Sequence, residues 1–89
     1  MKQAMKDLLQ ELIERDFTAN EMQMVIGAIA VVVQDYKMIS VHRKRDDLEM
    51  VLKYKYDLQN DIRDLREELD NLGLTYDVKD LVDDGGVEV

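Results

Sequence analysis

Cysteine, proline and tryptophan are absent from these 89 residues, histidine and serine occur once each, and glycine occurs four times. Without cysteine there is no disulfide framework, no thiol nucleophile and no zinc cluster of the usual Cys/His kind, and nothing depends on an oxidising compartment. Without proline no helix is forced to break. The single Ser40 and single His42 stand two residues apart, a spacing that points them to different sides of a helix, so they do not make a nucleophile–base pair. His42 reads as a solvated residue at a bend.

Other chemistry fares no better. Asp77, Asp80, Asp83 and Asp84 cluster near Gly85, yet the alternating oxygen ligands and closing Glu of a calcium loop are missing. Gly85-Gly86 lacks the Lys-Ser/Thr and the following helix of a phosphate loop. The sequence therefore implies no catalytic residue, no metal ligand and no cofactor. The N-terminus has Lys6, Asp7, Glu11 and Glu14 where a signal peptide has an apolar centre, so a cytoplasmic protein is expected. The longest apolar run, Met24 to Val33, is about half the roughly 20 residues that span a bilayer and is read as core, with no membrane contact.

What is abundant is acid. Twenty Asp/Glu against twelve Lys/Arg give a net charge of −8, and the imbalance lies in the second half: residues 1–45 sum to +1, residues 46–89 to −9. Such a field repels phosphates and disfavours direct nucleic-acid binding, while suiting a basic protein partner. The cluster His42, Arg43, Lys44, Arg45 is followed at once by two aspartates and reads as a polar bend whose cations favour a helix C-terminus.

Apolar residues, 46 % of the chain, recur at helical spacing. Met5, Leu8, Leu9, Leu12 and Ile13 mark a first amphipathic helix, about 4–16. Thr18 and Glu21 have capping-box spacing, with Phe17 and Met22 at the staple positions, so a second helix starts at Ala19 and runs to about 39. Met22, Val25, Ile29, Val32, Tyr36 and Ile39 form its main line. Ile26, Val31 and Val33 make it apolar on most sides, which predicts two packing neighbours. The phase breaks at 40–47, where a bend is expected, with one continuous helix as the alternative.

Leu48, Val51, Lys55, Leu58, Ile62, Leu65, Leu69 and Leu72 then keep a 3,4 alternation over more than three heptads, a third helix about 46–72. The competing reading is a strand, because Leu48, Met50, Leu52, Tyr54, Tyr56 and Leu58 alternate with charged residues; the absence of any turn before the heptads favours helix. Gly73 follows where a left-handed residue commonly ends a helix. Residues 77–89 form an acidic tail with one helical turn's worth of apolar residues.

The stretch Leu65-Arg66-Glu67-Glu68-Leu69-Asp70-Asn71-Leu72, with Tyr76 after it, resembles the Ser-Gln-Glu-Leu-Asp signature of the small helical-hairpin phosphatases that act on response-regulator aspartyl phosphates. It covers about a tenth of the chain. Arg66 and Glu67 stand where that family has Ser and Gln, which leaves a generic heptad.

The expected fold is all-α: one domain, 1–76, built as a three-helix bundle or a helical hairpin with a long third helix. The seam Leu48, Val51, Leu58, Ile62, Leu65, Leu69, Leu72 is coverable by the chain's own helices or by a second copy, and the small size favours completion as a homodimer. The expected function is regulation by protein–protein binding, with Asp57, Asp61, Asp64 and Glu68 facing a basic target, for example inhibition of a nucleic-acid-binding protein. The alternatives are a structural coiled-coil module and a nucleic-acid mimic.

Overall fold

Thr18 opens the helix that organises the molecule. Its hydroxyl accepts the backbone N–H of Glu21 at 3.1 Å and its own N–H donates to the Glu21 carboxylate at 2.9 Å, so both ends of the capping box are closed. A computed structural model describes residues 3–84, and the side chains of residues 3–82. It shows four helices in the order α1 (Gln3–Glu14), α2 (Ala19–Lys44), α3 (Leu48–Asn71) and α4 (Val78–Asp84), with no strand among the described residues. The alternating stretch 48–58 is helical. Its period-2 pattern is incidental, because Val51, which is outside that alternation, is the one buried residue of the stretch.

Three helices end by the same device. After α1, Phe17 N–H reaches Leu12 C=O (3.2 Å) and Asp16 N–H reaches Ile13 C=O (3.1 Å). After α2 the pairs are Asp47 to His42 (3.0 Å) and Asp46 to Arg43 (3.2 Å); after α3, Leu74 to Leu69 (2.8 Å) and Gly73 to Asp70 (3.0 Å). These are Schellman closures, each needing a left-handed residue: Asp16 (φ 58°), Asp46 (φ 56°) and Gly73 (φ 68°). Only the third uses glycine. That explains why α2 runs to Lys44 and not to 39: nothing stops it before Asp46, and the expected bend at 40–47 contracts to a tight turn. Asp47 then caps α3, accepting Met50 N–H at 3.3 Å.

α2 and α3 lie antiparallel as a long hairpin, and α1 and α4 pack together against its base, where α2 begins and α3 ends. The molecule is elongated, 45 × 23 × 19 Å. The core joins Leu8 and Leu12 of α1, Val25, Ile29 and Val32 of α2, Leu65 and Leu69 of α3, Leu74, and Val78, Leu81 and Val82 of α4. Each fully buried leucine contributes about 1.5–3 kcal/mol relative to exposure. Residues assigned to an acidic tail thus extend the core past residue 76; the Gly85-Gly86 end of that tail lies outside the described residues. Farther along the hairpin, Ile39 and Val51 are buried outside this cluster.

Candidate interaction surface

Of the two coverings open to the heptad seam, the structure shows the intramolecular one along most of its length. Leu65 and Leu69 are buried in the core, Leu58, Ile62 and Leu72 pack half-buried against it, and Val51 is buried higher in the hairpin. Leu48, at the open end, is 69 % exposed, and Lys55 is exposed. Leu52 and Tyr56 continue the exposed strip one and two turns beyond Leu48.

The acidic line of α3 runs along one flank of the hairpin. Asp64 is exposed, while Asp57, Asp61 and Glu68 are half-buried. Asp57 and Asp61 act on a third carboxyl, Asp35 of α2, which is 6 % exposed and is the one buried charged residue among those described. Burial first, then the hydrogen bond and negative charge of Asp61, then the charge of Asp57, push the Asp35 carboxyl up to about 7. In its acid form Asp35 can donate to Asp61. One Asp35 oxygen, Oδ2, is buried with no hydrogen-bond partner. Sequence reading missed Asp35, although a signal was there: it sits three residues after Val32 and four before Ile39, within the buried line of α2.

His42 is likewise not the solvated bend residue its position suggested. Its ring stacks on Tyr54 at 5.5 Å between centroids and 12° between planes, and both ring nitrogens are buried without hydrogen-bond partners. The nearest carboxylate is Asp47, 3.9 Å away. Arg43, Lys44 and Arg45 are exposed at the hairpin tip, and so are Asp46, Asp47 and Glu49 directly after them.

At the base, an open groove of about 430 Å³ runs between Arg66 and Asp70 of α3 and Thr75 and Asp77 of the following turn, floored by Leu69 and Leu74. Tyr76 lines it too, with its hydroxyl committed to Glu11 at 2.9 Å. Burial and that carboxylate push the Tyr76 phenol up to about 12. Arg15 binds Glu11 at 2.9 Å from the other side, and the Arg15 and Tyr76 hydrogen bonds hold Glu11 below the ordinary carboxylate range. No three His, Asp or Glu side chains among the described residues converge as a metal site. α2 is long and apolar enough to cross a membrane by length and composition, with 28 % of its most apolar window buried in the fold.

No family model matches the chain, and no curated protein and no solved structure is significantly similar to it.

Proposed function

We propose that this is a small acidic helical regulator that works by binding another protein through the Asp57, Asp61, Asp64, Glu68 flank, its target presenting a basic surface such as a nucleic-acid-binding site. The observation that supports this reading is the position of Asp35. A chain selected for hairpin stability alone would place an apolar residue or an amide there, since a carboxyl buried against two others costs folding free energy. Asp57/Asp61 and Asp64/Glu68 are also like-charge i,i+4 pairs, each costing a helix a few tenths of a kcal/mol. The helices keep these charges together on one flank, where their summed field attracts a basic partner and speeds encounter.

The test is a triple variant, Asp61→Asn, Asp64→Asn and Glu68→Gln, which keeps side-chain size and removes charge. With a partner captured from the native host, association should slow and most of the salt dependence should disappear, while helicity is retained. A folded triple variant with unchanged affinity and salt response would show that this flank is merely solvated.

A further inference from the structure

α2 is apolar on more sides than this chain covers. Its buried line includes Val25, Val32 and Ile39. One residue out of phase lies a second line, Met24, Gly27, Val31, Gln34, Met38 and Val41, with the same 3,4,3,4,3 spacing. Met24 is 58 %, Val31 48 % and Val41 40 % exposed, and Met38 is half-buried. The α1 and α4 helices lie against the core and leave this line open.

We propose that the second line is the seam of a homodimer, in which α2 of one copy packs antiparallel on α2 of another. Three observations select a second copy in that orientation. The spacing is palindromic, so reversing direction lays Met24 on Val41, Val31 on Gln34, and Met38 on Gly27, a long side chain over none. Gly27 is the second observation. It costs a helix interior about 1 kcal/mol relative to Ala, and a Cβ added there would meet nothing within 4 Å, so packing within the chain does not require it. A neighbouring helix could come close over the space its missing side chain leaves.

Charge is the third observation. The hairpin tip, residues 41–56, carries Arg43, Lys44, Arg45, Lys53 and Lys55 against Asp46, Asp47 and Glu49, a net +2, whereas the base, residues 11–21 and 61–72, carries nine Asp/Glu against Arg15, Arg63 and Arg66, a net −6. An antiparallel pair sets each basic tip beside the partner's acidic base; a parallel pair sets like on like. The contact is isologous, as two-fold symmetry demands, and a 26-residue helix offers about 39 Å of length for it. This interface uses the Met24 to Val41 line of α2 and is independent of the acidic-flank reading, which rests on α3 carboxyls together with Asp35.

Sedimentation equilibrium of the full chain over a concentration series tests it, together with Val31→Lys and, as a control on the other exposed apolar strip, Leu52→Lys. Wild type and Leu52→Lys should dimerise, and Val31→Lys should raise the dissociation constant at least tenfold with unchanged helicity. Because the chain has no cysteine, orientation can be read directly. Gly27→Cys and Met38→Cys proteins, mixed and oxidised, should give chiefly the mixed disulfide. A monomeric wild type, a dimer lost in Leu52→Lys and kept in Val31→Lys, or chiefly homodisulfides would each overturn the proposal. So would a monomer that floats with phosphatidylcholine vesicles.

Discussion

Tyr76 donates its hydroxyl to the Glu11 carboxylate at 2.9 Å across 65 residues of chain. Arg15, one turn after Glu11, grips the same carboxylate and then extends to the end of α3, donating to Leu72 C=O at 3.1 Å and Gly73 C=O at 3.3 Å. One cation thereby satisfies carbonyls at the C-terminal closure of α3, favourably placed against its dipole. Its guanidinium also lies 4.9 Å from the Phe17 ring centroid.

Arg15→Lys should therefore not be conservative, because an ammonium cannot span both carbonyls and Glu11 as the planar fork does. Tyr76→Phe should lower stability by about 0.5–1.5 kcal/mol, the ordinary contribution of one hydrogen bond. Urea unfolding checks both. In the wild type, spectrophotometric titration should find one tyrosine ionising at about 12, and Tyr76→Phe should remove that step.

Asp46→Gly should stabilise the protein. Asp46 holds φ 56°, a region that costs a non-glycine residue roughly 1–2 kcal/mol, of which Asp recovers part through local hydrogen bonding. A gain of about 0.5–1 kcal/mol in thermal or urea unfolding is expected. Gly73→Ala, at φ 68°, should lose about 1 kcal/mol by the same argument run backwards.

Asp35→Asn should alter how stability depends on pH. The Asp35 carboxyl titrates at about 7 when folded, against an ordinary value of 3.8, so the folded state binds its proton more tightly than the unfolded state. The stability linked to that proton is complete below about 3.8 and is lost as pH rises through about 7. An amide in its place cannot ionise yet can still donate to Asp61. The variant should be more stable than wild type at pH 8 by on the order of 2 kcal/mol, with the difference shrinking toward pH 4. Urea midpoints across this range measure it; parallel wild-type and variant curves would refute it.

Leu65→Asp should unfold the chain or nearly so. Leu65 is fully buried at the base of the hairpin, and an unpaired carboxylate there costs about 3–5 kcal/mol, a large share of a small domain's stability. Circular dichroism with thermal melting checks it. Val31→Lys, half-exposed on α2, should leave the monomer's own fold intact by contrast.

The starts and stops of the helices were largely legible in the sequence. The Thr18/Glu21 box, the Gly73 closure and the helical spacing of α3 are set by residues within one or two turns of each other, so spacing alone reveals them. Asp46 was harder to read: aspartate only occasionally adopts the left-handed conformation, and α2 was expected to end five residues early. Val78, Leu81 and Val82 looked like a short apolar turn in a tail because a seven-residue helix is marginal alone. Their order comes from the core they complete with α1, α2 and α3.

The candidate surfaces divide along the same line. That α3 carries an acidic line and α2 is apolar on most sides follows from residue order, because helical periodicity is a local property. That Asp57 and Asp61 crowd Asp35, that His42 stacks on Tyr54, and that α2 leaves Met24, Val31 and Val41 uncovered depend on how two helices separated by a tight turn rotate against each other. Burial at the hairpin base sets that rotation: Val25, Ile29 and Val32 turn toward Leu65 and Leu69, and the charged and apolar residues left on the flanks take the positions that remain. Sequence determined the helices and the chemistry written along them; tertiary packing decided which side chains meet, because desolvation and charge repulsion act only between groups the fold has brought together.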